Sequence, residues 1–190
     1  MADSTPSGSE LVTTPDRLLT SATLAALRDV PDFPKPGIQF KDITPILGDR
    51  DLFRRVTREM AAPFGADGIT HVAAIESRGF ILGAPVAQHL DAGFVPLRKA
   101  GKLPHRTRRV EYALEYGTDA LEAHVDACGS GTRVLLVDDV LATGGTAAAA
   151  CALIEALGAT VVGCSFLLVI DALAGATRLH GRRLAAIASC

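Results

Sequence analysis

A surplus of positive charge is the first thing missing: 19 Lys and Arg stand against 21 Asp and Glu, a formal net charge of −2. General nucleic-acid and anionic-membrane binders need a positive field, so those classes are excluded, while a local basic pocket for a phosphorylated small molecule is not. Cysteine is scarce and scattered. Cys128, Cys151, Cys164 and Cys190 make no C-x-x-C pair and meet no His at metal-ligand spacing, so reduced, mostly buried thiols are expected. No apolar run reaches membrane-spanning length before Gly, Asp or Arg breaks it, and the first dozen residues have neither a basic n-region nor an apolar h-region. A cytoplasmic protein is the expectation. Aromatics are few at 5%, but hydrophobic residues reach 48%, which fits a globular α/β protein and excludes disordered and fibrous classes.

What is present fits one domain, since 190 residues suffice to bury a real core. Met1 to Thr13 is small, polar and Pro/Gly-containing, and reads as a disordered tail ahead of a single domain over 14–190. Thr14-Pro15-Asp16 reads as a helix start with Thr14 as N-cap, and apolar residues continue at helical spacing to about Arg28. Pro31 to Gly37 holds three prolines and reads as an extended loop. Leu52, Phe53, Val56 and Met60 share one face of a helix expected over 51–64. His71 to Ile75 is apolar and does not alternate, as in a parallel strand covered on both faces. A helix over 79–90 and a strand over 93–97 follow. Lys99 to Arg109 is crowded with basic side chains and reads as an exposed loop. The segments 111–116 and 120–125 flank Gly117-Thr118-Asp119 as a hairpin. Strands over 133–137 and 161–170 bracket an Ala-rich helix over 145–157, and a short strand near 184–187 ends the series. Such alternation predicts an α/β fold, an open, mainly parallel twisted sheet flanked by helices.

The strongest site is Val134-Leu135-Leu136-Val137-Asp138-Asp139-Val140-Leu141-Ala142-Thr143-Gly144-Gly145-Thr146. A buried strand ends in two carboxylates, then a small-residue loop opens directly into a helix. Ligands of open α/β sheets bind beyond the carboxyl ends of strands. Gly144 and Gly145 let backbone approach a ligand, and amides at a helix N-terminus cradle phosphate, with Thr143 and Thr146 hydroxyls in support. Two acids repel a bare phosphate, but they suit one hanging from a sugar whose hydroxyls reach them. Neither G-x-G-x-x-G nor G-x-x-x-x-G-K-[ST] fits this spacing.

This string resembles the phosphoribosyl-pyrophosphate (PRPP) motif of the type I phosphoribosyltransferases. The resemblance implies that Asp138 and Asp139 take the ribose hydroxyls, and that Ala142, Thr143, Gly144, Gly145 and Thr146 hold the 5′-phosphate. Three further segments, in order, resemble the adenine-specific branch of that family. Asp32 to Thr44 matches its hood (about 31–45), Glu76-Ser77-Arg78-Gly79-Phe80 its pyrophosphate loop, and Arg98 to Pro104 with Tyr112 to Gly117 its flexible loop (about 99–120). Adenine would stack on Phe40, have its edge read by the backbone of Gln39 and Lys41, and be covered by Ile170. Ser77, Arg78, Arg98, Lys99 and Lys102 would take pyrophosphate. Catalytic roles are implied for Glu115, at the purine proton, and for Arg78 and Lys102 at the leaving group. The resemblance also implies a cis Glu76–Ser77 peptide, a homodimer, and Mg²⁺ carried by PRPP with no direct protein ligand. The expected reaction is adenine plus PRPP to AMP plus pyrophosphate, as in purine salvage.

Physical reasoning supports the charges independently. Breaking the bond at C1′ leaves the sugar positive and the departing pyrophosphate negative, so acids near one and cations near the other both favour the separation. Two other readings stand beside it. One is a 6-oxopurine or xanthine phosphoribosyltransferase, which would need a Lys or Asp set that does not align here. The other is a PRPP-sensing regulator, for which the residues before Pro31 are too few to make a winged helix.

Overall fold

The computed structural model describes residues 11–14, 16–114 and 117–190. In chain order these form β1 (Leu11–Thr13), α1 (Arg17–Ala26), β2 (Arg28–Val30), β3 (Phe40–Asp42), α2 (Thr44–Gly48), α3 (Arg50–Ala61), β4 (His71–Ile75), α4 (Arg78–His89) and β5 (Gly93–Lys99). They continue with β6 (Thr107–Leu114), β7 (Gly117–His124), β8 (Arg133–Leu141), α5 (Gly145–Ala156), β9 (Thr160–Val169) and β10 (Arg183–Ser189). Eight strands make one sheet in the order β1-β10-β9-β8-β4-β5-β7-β6, and β2 and β3 pair apart from it as a small ribbon. Strands β1 through β5 along that order are parallel to their neighbours; β7 and β6 are added antiparallel at one edge.

The apolar runs lie where burial on both faces requires them. Val134 and Leu136 of β8 pack with α5 residues such as Leu153 and Ile154 on one side. Leu135 and Val137 turn to the other, against Val56, Met60 and Phe64 beside α3 and Leu82 of α4. Alternation of side chains along a strand sends each pair to its own layer. A fully buried Leu or Phe contributes about 1.5–3 kcal/mol, so this central strand anchors both layers and fixes where its far end emerges.

Several boundaries differ from the sequence expectations. Leu11–Thr13, expected in the tail, is a strand paired in parallel with β10 at Leu11↔Leu184; the rest of the tail lies outside the described residues. The N-cap of α1 is Asp16, whose Oδ1 accepts from the Leu19 amide, while Thr14 Oγ1 accepts from the Asp16 amide. The carboxylate two residues nearer the helix takes the cap. The helix expected over 51–64 ends at Ala61 and tightens into a 3-10 turn at Ala62–Phe64, where Pro63 stands. The basic stretch is a loop only to Arg106, because Thr107–Arg109 already belong to β6. Gly117–Asp119, expected as the hairpin turn, pair with Leu114, Ala113 and Tyr112, so the ladder runs past them. The last strand is longer than expected and lies between β9 and β1, inside the sheet. Of the cysteines, Cys151 and Cys164 are buried with Sγ atoms 3.8 Å apart, Cys128 is half-buried and Cys190 exposed, all as free thiols.

Candidate active site

Strands β4 and β8 are neighbours, but the chain leaves β4 through α4 toward β5 and leaves β8 through α5 toward β9. Their exits diverge, and the crevice between them is a topological switch point, where ligands of open α/β sheets bind. Residues 76–78 enter it from one strand and residues 138–146 from the other.

β8 keeps strand geometry to Leu141, four residues beyond expectation, so both acids sit inside the strand. Asp139 is 4% exposed, with Oδ2 2.7 Å from Arg78 Nε, an ion pair lacking the alignment of a hydrogen bond. The Asp139 amide donates to Asp138 Oδ1 at 3.0 Å. Burial, and then the neighbouring Asp139 charge, push the Asp138 carboxyl well above the usual carboxylate range.

Gly144 caps α5 in the left-handed region at φ +79°, and no side chain caps the helix. Its first amides therefore face the crevice end without a side-chain acceptor, as an anion cradle requires. A Cβ on Gly144 would stand 2.3 Å from the Gly175 carbonyl oxygen, and one on Gly175 would stand 2.1 Å from that of Ala142. Two glycines back to back let residues 142–144 fold against the turn at 175. Gly175 carried no role in the sequence reading, because a lone Gly far along the chain gives no sign of what it touches. Gly79 has a similar place: a Cβ there would meet Asp138 Oδ1 at 2.7 Å.

The ribbon β2–β3 brings the hood over this corner. A cavity of about 300 Å³ is lined by Ile38, Gln39, Phe40 and Lys41 from the hood, by Arg78, by residues 138–147, and by Ile170. Ile170 is held there by its amide donating to the Leu141 carbonyl at 3.0 Å. The Arg78 guanidinium lies 4.9 Å from the Phe40 ring centroid, and Phe33 meets Phe40 edge-on at 5.0 Å. Arg78 thus touches both the aromatic ring of the hood and the acid of the strand. Lys41 leans away, its Nζ 2.6 Å from Asp29, and that partner raises its pKa.

Residues expected at the base, the ribose and the 5′-phosphate are therefore brought together. Arg98, Lys99 and Lys102 do not line this cavity. They stand beside it at the end of β5, each held by an acid. Arg98 Nε donates to Glu76 Oε2 at 2.9 Å, Lys102 Nζ donates to Glu76 Oε1, and Lys99 Nζ donates to Asp119 Oδ2 at 2.6 Å. Burial alone would raise the Glu76 carboxyl, but hydrogen bonds from Lys102 and Arg98 outweigh it and the net shift is downward. Lys99 likewise holds Asp119 low. Neither acid had a stated role in the sequence reading, since their partners lie 20 and 26 positions away. Ser77 stands at the N-cap position just before α4, and the Glu76–Ser77 peptide is cis, as the resemblance implies. Glu115 lies outside the described residues.

The chain is similar to known proteins along most of its length. Residues 50–181 match the phosphoribosyl transferase domain. The adenine phosphoribosyltransferase of Myxococcus xanthus is 57% identical over 171 residues, covering 87% of this chain and 93% of that one. The crystal structure of the Rhodothermus marinus enzyme of that name is 51% identical and superposes with a TM-score of 0.88 over 91% of this chain and 99% of the other. That of Giardia lamblia, complexed with 9-deazaadenine, is 39% identical with a TM-score of 0.85, covering 90% and 97%. Identity of this order along nearly the full length of both partners is far above what a shared fold alone produces, and the chain belongs to the adenine phosphoribosyltransferase family.

Proposed function

We propose that the chain transfers the 5-phosphoribosyl group of PRPP to adenine, forming AMP and releasing pyrophosphate in purine salvage. The observation carrying this reading is the single cavity that joins an aromatic hood, a paired acid and an uncapped glycine-led helix start. In the reaction the bond from C1′ to a pyrophosphate oxygen breaks, the bond from C1′ to adenine N9 forms, and adenine gives up one proton. Asp138 and Asp139 accept hydrogen bonds from the ribose hydroxyls and favour positive charge growing on the sugar. Amides of residues 142–146, with the Thr143 and Thr146 hydroxyls, hold the 5′-phosphate. Phe40 stacks on adenine, Ile170 covers its other face, and the backbone of Gln39 and Lys41 reads its edge. Ser77, Arg78, Arg98, Lys99 and Lys102 receive pyrophosphate. Glu115 handles the purine proton; its role rests on the resemblance of Leu114-Glu115-Tyr116-Gly117 alone.

Magnesium enters as part of the substrate, held by PRPP oxygens, and adds positive charge to the leaving group. The acids at the crevice suit this arrangement, because Glu76 and Asp139 already face cations. Among the described residues no three His, Cys, Asp or Glu side chains gather to cage an ion. The hairpin of β6 and β7 closes over the ligands and keeps out water, which would otherwise hydrolyse PRPP.

Two coarser features complete the proposal. Two copies pair through the outer face of α4 and β5, where Ile81 is 45% and Phe94 38% exposed beside Phe80. Large apolar side chains clustered at the surface mark contact sites. The enzyme acts in the cytoplasm; no helix among the described residues is long and apolar enough to cross a membrane. The deciding experiment offers purified protein Mg²⁺-PRPP with adenine, hypoxanthine, guanine or xanthine separately. AMP forms from adenine, and its absence overturns the assignment; light scattering tests the pair of copies.

A further inference from the structure

The pyrophosphate-facing cations stand on a turn, Lys99 to Lys102, which is pinned from below by a residue outside the family resemblance drawn above. Glu122 lies in β7, only 9% exposed, directly opposite Arg98 of β5 and Arg109 of β6. The guanidinium groups of both neighbours are engaged elsewhere, Arg98 with Glu76 and Arg109 with Glu111. A carboxylate taken this far out of water is costly unless it is hydrogen-bonded. Its donor is a backbone amide of the turn: Gly101 N–H donates to Glu122 Oε2 at 3.0 Å.

That bond sits at a decisive place. Gly101 is left-handed, at φ +79°, and reverses the chain just before Lys102. On the other side of it the Lys102 carbonyl accepts from Arg98 Nη1 at 3.0 Å. The peptide segment from the Gly101 amide to the Lys102 carbonyl is thus clamped at both ends, one clamp a cation and the other an acid. Lys102 leaves this fixed backbone to reach Glu76. We propose that Glu122 is a positioning residue: by holding the Gly101 amide it aims Lys102, and with it the Arg98 pair, at the pyrophosphate of PRPP. The inference rests on the reading that these cations receive pyrophosphate. It adds that their placement depends on a buried acid that touches no substrate.

The test separates aim from architecture. Glu122→Ala is expected to raise the KM for PRPP about tenfold, the size of one lost charge-assisted hydrogen bond. The turnover number should fall as well, by up to about tenfold, because Lys102 meets charge that grows on the leaving group, while the KM for adenine stays within about twofold. Glu122→Gln keeps an acceptor and should restore most of the PRPP affinity. A merely architectural role would instead lower Tm and the active fraction and leave KM for PRPP unchanged, and that result overturns the proposal. Should the Ala variant not fold, Glu122→Met keeps the bulk without an acceptor, and the same split is expected of it. In the unaltered protein, slow exchange of the Gly101 amide by NMR supports the clamp, and exchange at the rate of an open loop refutes it. Failure of the unaltered protein to make AMP would sink the assigned reaction, while the amide measurement still judges the clamp.

Discussion

Two acids at the same edge of the sheet stand in opposite electrostatic states. Asp138 is crowded by Asp139 and by burial, and holds its proton more tightly than a free carboxyl does. Glu76, at the end of the next strand, is also partly covered, yet it receives hydrogen bonds from Lys102 and Arg98 and gives up its proton more readily. The first acid meets one backbone amide and forms no ion pair among the described residues, whereas the second is held by two cations. A carboxyl without a cation is where a ligand's donors can gain most, whereas one already paired serves to hold its neighbours. In the proposed function the pair thus separates an acid that binds substrate from one that positions its neighbours.

The largest expected effect breaks the first half of that contrast. Replacing Asp138 and Asp139 together by Asn should lower kcat/KM by about a hundredfold to ten-thousandfold with every base, as loss of aimed electrostatic groups does. A double variant of full activity would remove the ribose-holding role. Next comes the hood. Phe40→Ala should raise the KM for adenine about tenfold to a hundredfold, the worth of one base–aromatic stack, and leave that for PRPP nearly unchanged. Equal changes in both constants would point to Arg78, which shares the Phe40 ring, as the residue disturbed.

Smaller shifts sharpen the contrast through stability. Glu76→Gln removes a satisfied acid, so Tm should fall, by about 2–4 °C for each kcal/mol in a protein of this size. Asp138→Asn should do the reverse and raise Tm by a similar few degrees at neutral pH. The signs follow from proton linkage. Asp138 has a raised folded pKa, so its contribution falls as pH rises from the unfolded carboxyl value through the folded one. Glu76 has a lowered folded pKa, so its contribution is present above the unfolded value and is lost as pH falls through the folded one. Thermal unfolding of the two variants from acid to neutral pH measures both slopes. Parallel slopes would end the contrast.

How much of this was legible beforehand depends on sequence distance. The corner at 134–146 is one uninterrupted string, so its strand, acids, glycines and helix could be read together. The parallel sheet was legible for the same reason, because residues 72–75 and 134–137 are apolar without alternation. The ribbon of β2 and β3 was not: three-residue strands carry no period, and Asp29 meets Lys41 only through pairing. Strand β1 was hidden likewise, since its place depends on an edge offered by β10 from the far end of the chain.

The sequence alone therefore determined the fold class, the glycine-led turn into a helix at the candidate site and the residue types available for the chemistry, because local patterning dictates which segments bury and which turn. The tertiary structure decided which acid meets which cation. Glu76 with Lys102, Asp119 with Lys99, Glu122 with the Gly101 amide and Gly175 with the 142–144 loop all join positions distant in sequence. Electrostatic partnership depends on separation in space, and only the packed sheet sets that separation.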